Sequence, residues 1–199
     1  MSAKITKEYP NIVKWLKTAR AAALKGNGSM LQIGSTDAFT YVTDGYAVLR
    51  IPAAQLPAWS AAVSLAPIDG QEMSDDRLII ISDLSTPSSF DKTLLDTGVL
   101  AYVKCKSGAP LCRVYAFDDR PYAIQETSAA ALRDIGGPVT AQAALTESFC
   151  CYPAKAGTEG GPAVMALPIR IDRDPRQEKI LSAAAKAARN CREEDASNG

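Results

Sequence analysis

The sequence contains no histidine. Histidine is the side chain most often used for acid–base catalysis near pH 7, and it is the commonest metal ligand. Its absence excludes serine and cysteine nucleophiles that histidine would activate, while other enzyme chemistries, such as those of carboxylates or a thiol, survive. We therefore expect no enzymatic activity, no metal site and no cofactor, and we keep an enzyme on an unrelated α+β fold as the alternative.

Long apolar runs are also missing, and aromatic residues make up only 7% of the chain. A membrane-spanning helix needs about 20 consecutive apolar residues, so we expect no membrane partner. Residues 1–4 lead into a polar stretch and not into the apolar core of a signal peptide. These features predict a cytoplasmic globular protein, and a length of 199 residues predicts one or at most two domains.

Motifs for metal, disulfide and nucleotide binding are absent. The five cysteines show no C-x-x-C spacing, which argues against a zinc site or a secreted disulfide framework. We expect reduced thiols that pack as small apolar side chains, although Cys105 and Cys112 flank a turn and their bonding stays open. Gly26 and Gly28 are not followed by the third glycine of a dinucleotide-binding loop, and no phosphate-binding GxxxxGK sequence occurs.

The charge is zero overall but is unevenly distributed along the chain. Residues 1–30 carry six Lys or Arg against one acid, whereas residues 31–100 carry nine acids against three bases. A net charge of zero argues against a protein that coats nucleic acids non-specifically. A basic N-terminal element on an acidic body still offers cations to phosphate groups.

Helices are predicted where apolar residues recur every three or four positions. The clearest covers residues 11–25, with Lys14 and Lys17 on its polar side, and an alanine-rich helix covers residues 175–192 before a polar tail. A shorter helix over 129–135 is expected to be capped by Thr127 or Ser128. The expected apolar faces are Ile12, Trp15, Leu16, Ala19 and Ala23 in the first helix, and Ile180, Ala184, Ala187 and Cys191 in the second.

Strands account for most of the remaining pattern, together with a short helix over 58–65. Asp44 and Gly45 suit a tight turn between two strands, and the paired acids at 75–76 and 118–119 suit turns. A helix followed by strands occurs in each half of the chain, which predicts an α+β fold. The predicted strands are 30–33, 39–43, 46–51, 78–81, 99–105, 111–117, 122–124, 139–145, 148–152 and 164–171.

Two segments together resemble bacterial β sliding clamps. Residues 39–48, FTYVTDGYAV, are similar to the "ATDGHRLAV" strand-turn-strand of that family and likewise follow an amphipathic helix and a short strand. Residues 122–135 and 163–171, the latter AVMALPIRI, resemble the strand, helix and terminal "MPMRL"-like strand that close a clamp's last domain. The sequence departs from the family at Tyr46 and Ala47, where clamps usually have His and Arg.

The resemblance implies an α+β, DNA-clamp-like fold in which two helices pack on antiparallel sheets. Residues 1–174 would form a single clamp-like domain with 53–119 as an insertion, and residues 175–199 would add a C-terminal helix and a polar tail. A bacterial clamp subunit has three such domains. A single-domain chain would therefore encircle DNA only as an assembly of several copies.

The resemblance also implies a function without chemistry, that of a replication accessory. Clamps close a ring of six domains around duplex DNA, and the helices that line the ring offer basic side chains to phosphates without reading base sequence. The implied partners are duplex DNA, a polymerase or other replication proteins, and further copies of this chain. The matching DNA-binding candidates are Lys14, Lys17, Arg20, Lys25 and Arg133.

Clamps also bind short peptides of polymerases in an apolar cleft to which the TDG segment and the final strand contribute. A simpler interpretation makes Leu167 and Ile169 core residues and Gly45 a turn residue. The alternative function is a protein-interaction module without DNA binding, favoured by the zero net charge and by a single base, Arg133, on the 128–135 helix. The matching cleft positions are Thr43, Gly45, Tyr46, Leu167, Pro168 and Ile169.

Overall fold

The structure, a computed structural model, confirms an α+β fold. It describes residues 2–26, 30–85, 92–105, 108–117, 120–141, 151–153, 161–169, 171 and 175–197. Within these ranges no helix is long and apolar enough to cross a membrane. The described helices are α1 Ser2–Glu8, α2 Pro10–Leu24, α3 Leu56–Ala62, α4 Asp75–Leu84, α5 Glu126–Ile135 and α6 Pro175–Ser197, with a 3-10 turn at Ala53–Gln55.

The strands of the described ranges are all antiparallel and follow the order β1-β2-β3-β9-β8-β7-β4-β5-β6. The long strand β4 pairs with β7 near its start and with β5 over the rest of its length, so that two sheets share it. The strands are β1 Gln32–Ser35, β2 Phe39–Thr43, β3 Ala47–Pro52, β4 Lys92–Tyr102, β5 Leu111–Phe117, β6 Arg120–Gln125, β7 Val139–Ala141, β8 Cys151–Pro153 and β9 Ala163–Ala166.

The same order of elements occurs twice, as α2-β1-β2-β3 and as α5-β7-β8-β9. The last strands of the two halves, β3 and β9, pair with each other. Each half then continues away from this pair in the same way, through its middle strand to its first strand. The sheet also curls, because Ile169, three residues beyond β9, bridges Ala123 in β6. The doubled helix-and-strands order expected from the sequence is therefore present.

One face of the sheets carries the main core, under α1, α2, α3 and α5. Alternation along the strands decides which side chains reach this core, because successive residues point to opposite faces. In β5, Tyr115 joins the main core, whereas Cys112 and Val114 point to the other face and pack against Leu181 of α6. The helices α4 and α6 thus each cover part of the back of the sheets.

The interpretation of residues 78–81 as a buried strand is wrong, because they lie in α4. Ser74 caps this helix by accepting the backbone N–H of Arg77, and acids at 75 and 76 occupy the first turn, where the helix dipole favours them. These acids are therefore helical and are not turn residues. Within the 78–81 run only Leu78 and Ile81 face the sheet, at the three-residue spacing of a helix.

Three smaller expectations also need correction. Helix α1 was not predicted, and α6 continues through the expected polar tail to Ser197. Among the α6 side chains that the structure describes, residues 175–191, the buried ones are Leu181 and Ala185. They lie one position away from the expected Ile180 and Ala184, and Ile180 is largely exposed. Helix α5 begins at Glu126, so its cap is not Thr127 or Ser128 but Gln125, whose side chain makes no capping bond.

The cysteines that the structure describes are free thiols, which answers the question of Cys105 and Cys112. Cys112 is fully buried between β5 and α6. This burial raises the pKa of its thiol to about 12, from a reference value of 9.0. The side chains of Cys150 and Cys151 lie outside the described residues.

The carboxylate of Asp134 holds the two central helices together. It stands near the end of α5 and accepts the backbone N–H groups of Asn11, at 2.6 Å, and Ile12, at 2.9 Å. It also accepts the side-chain amide of Asn11 at 2.7 Å. The first turn of α2 gets no capping bond from its own N-cap residue, Tyr9. A carboxylate from α5 therefore caps the first turn of α2, a role that a Ser or Asp at the N-cap position of the same helix normally has.

We predict that Asp134→Ala lowers the free energy of unfolding by about 1–2 kcal/mol, because the first turn of α2 loses a charged acceptor. Denaturant titration of the purified protein measures this change. Asp83→Ala is the matched control, since Asp83 is an exposed helical aspartate in α4, and it should stay within about 0.5 kcal/mol of the parent protein. Equal losses in the two variants would contradict the capping role.

Candidate functional site

A groove of about 1130 Å³ runs between α2, α5 and the turn that joins β2 to β3. The end of α5 caps the start of α2, and residues near both ends of each helix line the groove, which is the arrangement of an antiparallel pair. The groove brings together residues from both sequence-predicted sets, Lys14 and Arg133 from the first and Gly45 and Tyr46 from the second. The other lining residues are Asn11, Trp15, Thr18, Ala19, Ala22, Met30, Asp44, Leu111, Gln125, Glu126, Thr127 and Ala130.

The turn at Asp44–Tyr46 is fixed to α2 by one side-chain bond. The indole Nε1–H of Trp15 donates to Oδ2 of Asp44 at 2.7 Å. The other carboxylate oxygen of Asp44 accepts the backbone N–H groups of Tyr46 and Ala47, each at 2.9 Å. Asp44 thus shapes its own turn and anchors that turn to the helix, which fixes one wall of the groove.

Gly45 is required at the centre of this turn. Its φ of +90° lies in the left-handed region that other residues rarely adopt. A Cβ placed there would also come within 2.8 Å of the Met30 side-chain methyl group. The glycine therefore lets Met30 and the turn close over the same end of the groove.

The acidic side chains of the helix pair are occupied by internal partners. The carboxylate of Glu126 forms ion pairs with Arg133 at 2.6 Å and with Arg113 at 3.1 Å. Arg113 forms a second ion pair with Asp96 at 3.2 Å. Burial lowers the pKa of Arg113, but its bonds to Asp96 and Glu126 outweigh that effect and the net shift is upward. Together with the capping role of Asp134, this network gives both acids of α5 an internal partner, and it also occupies Arg133, the single base of that helix.

The basic residues of α2 differ in what they can offer to a ligand. Lys14 and Lys17 are exposed, and within the described part of the chain neither has a hydrogen-bond or ion-pair partner. Lys25 is exposed at the end of α2. Arg20 is half-buried and donates to the carbonyl oxygen of Ala66 at 2.7 Å, so it pins a loop and does not face the groove. Lys14, Lys17 and Lys25 are therefore the exposed cationic candidates, and of these three Lys14 lines the groove.

The six residues of the expected peptide cleft lie near one another but have different roles. Thr43 is buried, and its hydroxyl donates to the carbonyl oxygen of Ala47 at 2.7 Å. The backbone N–H of Leu167 donates to the carbonyl oxygen of Tyr46 at 2.8 Å, so these two residues are neighbours. The Tyr46 and Leu167 side chains are 41% and 38% exposed.

The remaining cleft positions follow Leu167 along the chain. Pro168 and Ile169 are half-buried, and the backbone N–H of Ile169 donates to Ala123 in β6 at 2.7 Å. Ile169 also packs against the α6 side of the sheet. Of the six positions, Tyr46 and Leu167 therefore expose apolar surface, Gly45 shapes the turn, and Thr43 and Ile169 serve mainly the fold.

Sequence reasoning missed several residues that build the groove. Trp15 was assigned only to the core, although its N–H holds the turn, and Glu126 and Met30 were not selected. One signal was available, because a Trp on a helix has a donor that needs a partner when the ring is buried. The pairing of Trp15 with Asp44, 29 positions apart, depends on how the helix and turn pack.

Comparison with known proteins adds no relative. No protein-family model matches the chain, no curated protein matches it, and no solved structure matches it. Any function must therefore be inferred from the residues and geometry of this chain.

We predict that Trp15→Phe lowers the free energy of unfolding by about 1 kcal/mol more than Trp59→Phe does. Both changes remove an indole from the core, but Trp15 Nε1 donates to Asp44, whereas Trp59 Nε1 is buried with no partner among the described residues. Denaturant titration of both variants gives the difference. A loss for Trp59→Phe as large as that for Trp15→Phe would mean that the bond to Asp44 contributes nothing.

Proposed function

We propose that this chain is a non-catalytic, clamp-like protein of DNA replication whose helices α2 and α5 face the phosphate backbone of duplex DNA. The observation that carries the proposal is the charge state of the helix pair. Lys14 and Lys17 are exposed and unpaired among the described residues, while Glu126 and Asp134 are held by internal donors.

Phosphate binding that ignores base sequence needs this kind of surface. When exposed lysines contact phosphates, the counterions condensed on the DNA are released, and no base edge has to be reached. Helix α2 contains three bases and no acid, so nothing on that helix repels the DNA backbone. Because the net charge of the chain is zero, the surface as a whole does not attract DNA, and the attraction is confined to this helix face.

The doubled architecture supports the clamp-like part of the proposal. Two helices lie antiparallel on one face of antiparallel sheets, and each helix leads into three strands. The TDG turn and the Leu167 segment, which carry the resemblance to clamps, are also adjacent in space. The long connection over 53–119 supplies α3, α4, β4 and β5, which add to this plan without interrupting it.

We predict that replacing Lys14 and Lys17 together by Glu weakens binding to a fluorescent DNA duplex and reduces its salt dependence. The slope of log K against log salt should fall by about 0.9 for each phosphate that the variant no longer neutralises. Fluorescence anisotropy over a salt series measures both quantities. Lys179→Glu with Lys186→Glu is the control, because it changes the net charge equally on exposed positions of α6.

The control pair should leave DNA affinity close to that of the parent protein. The proposal fails if the parent protein does not bind duplex DNA at low salt. It also fails if the α6 pair weakens binding as much as the α2 pair, since the attraction would then be a property of total charge.

A second candidate function is a protein-interaction module that does not bind DNA. Tyr46 and Leu167 favour it, because they expose neighbouring apolar side chains at a turn that Asp44 and Gly45 hold in place. A rigid apolar pair suits the anchoring residues of a short peptide.

We predict that peptides selected on this protein from a random display library bind through the Tyr46–Leu167 pair. Tyr46→Ser with Leu167→Ser should weaken such peptides at least about tenfold, the equivalent of about 1.4 kcal/mol of apolar burial. Leu24→Ser is the control, because Leu24 is another exposed leucine at the end of α2. Isothermal titration measures the affinities, and equal binding by all three proteins would exclude this pair as a peptide site.

A further inference from the structure

Helix α6 is the longest of the described helices, but it rests on the sheet through few side chains. It covers 23 residues, Pro175–Ser197. Among its side chains that the structure describes, residues 175–191, only Leu181 and Ala185 are buried. The 15-residue helix α2, by contrast, buries five side chains. Because apolar burial supplies most of the stability of a helix within a fold, α6 has less to hold it in place than α2 has.

The sheet beneath α6 carries an apolar strip. Val103, Cys112, Val114 and Ala123 are fully buried and form one cluster with Leu181. Val114 and Ala123 stand opposite each other on β5 and β6, and Cys112 lies two residues before Val114 on the same face. We call Val103, Cys112, Val114 and Ala123 the back strip.

The main core does not depend on α6. No described residue of α6 belongs to that core, which lies on the opposite face of the sheets under α1, α2, α3 and α5. The sheet itself separates the two layers, because successive strand residues point to opposite faces. Removal of α6 therefore uncovers the back strip and leaves the main core covered.

The start of α6 is fastened to the end of β4 by one side chain. The amide of Gln177 accepts the backbone N–H of Lys104 at 3.2 Å and donates to the backbone carbonyl oxygen of Tyr102 at 2.9 Å. Both bonds lie at the surface, where water competes for the same groups. Gln177 therefore positions α6 on the sheet, and its bonds can be exchanged for bonds to water.

The sequence of α6 favours a helix whether or not the sheet is in contact. Residues 181–188 contain five alanines, and alanine has the highest helix propensity of all residues. The backbone hydrogen bonds of a helix run within it, so separation from the sheet breaks none of them. Elements with few buried apolar contacts open at a lower free energy than the rest of a fold, and α6 is such an element.

We propose that α6 is a releasable strap, which opens as a unit while the rest of the fold stays intact and thereby uncovers the back strip. The strap controls access to this apolar surface, because the strip is closed to any partner while Leu181 and Ala185 are seated on it. The proposal is independent of the proposed DNA role, since α2 and α5 lie on the other face of the sheets.

Alkylation of Cys112 by iodoacetamide in the full chain, without DNA, tests the proposal. Cys112 is protected in the closed form, because it is fully buried and burial raises the pKa of its thiol to about 12. Trypsin and mass spectrometry report on Cys112 alone, since it is the single cysteine of the tryptic peptide 107–113. The exposed Cys191 serves as the reference for the reagent.

Cys112 of the parent protein should react at least about tenfold faster than global unfolding, measured by denaturant titration, allows. Leu181→Ala removes the largest contact with the back strip and should raise this rate at least about tenfold again. Ile180→Ala is the matched control, because Ile180 is the neighbouring residue of equal size and is largely exposed. It should react like the parent protein.

Tryptophan emission reports on the rest of the fold, because Trp15 and Trp59 both lie in the main core. The emission of Leu181→Ala should remain that of the folded parent protein while its Cys112 reacts quickly. Emission typical of exposed tryptophan in this variant overturns the proposal, because α6 would then be part of the cooperative fold.

Two outcomes of the alkylation also overturn the proposal. If Cys112 reacts no faster than global unfolding allows, α6 opens only together with the whole molecule. If Ile180→Ala reacts as fast as Leu181→Ala, the rate does not depend on how α6 is seated. Because DNA is absent from all these samples, failure here is separate from failure of DNA binding by Lys14 and Lys17.

Discussion

The bond between the Asp134 carboxylate and the first turn of α2 is the constraint on which the rest of the structure depends. It joins residues more than 120 positions apart and makes the end of one helix the cap of the other. Because the tie fixes α2 antiparallel to α5, Trp15 is placed where its indole can hold Asp44. The groove, the turn and the exposed lysines of α2 all follow from that placement.

The same tie has an electrostatic consequence. Asp134 is directed at backbone N–H groups, and Glu126 is held between two arginines, so the acids of α5 are occupied internally. Lys14 and Lys17 then set the character of the outer face although the chain as a whole is neutral. A local balance of paired acids and unpaired lysines, which total charge does not reveal, is what makes phosphate binding a reasonable function for this surface.

Local sequence patterns predicted most of the helices and strands, but they could not predict contacts between residues that are distant in the sequence. The helix over 11–25 and the strand at 39–43 were predicted closely because their periodicities are unambiguous. The apolar run at 78–81 suits a strand as well as a helix, and the Ser74 cap with its following acids was the missed signal. At the site, Tyr46 and Leu167 are neighbours through a backbone hydrogen bond, whereas Arg20 binds a loop carbonyl and the capping role of Asp134 was not predicted.

Light scattering of the parent protein at low salt, with and without a DNA duplex, tests the central claim most directly. The claim is that a clamp-like chain associates with DNA through the backbone electrostatics of its helix pair. It predicts a complex that contains several copies of the chain on the duplex and that added salt dissociates. A monomer whose mass is unchanged by DNA at low salt would contradict it and would leave the Tyr46–Leu167 surface as the site to pursue.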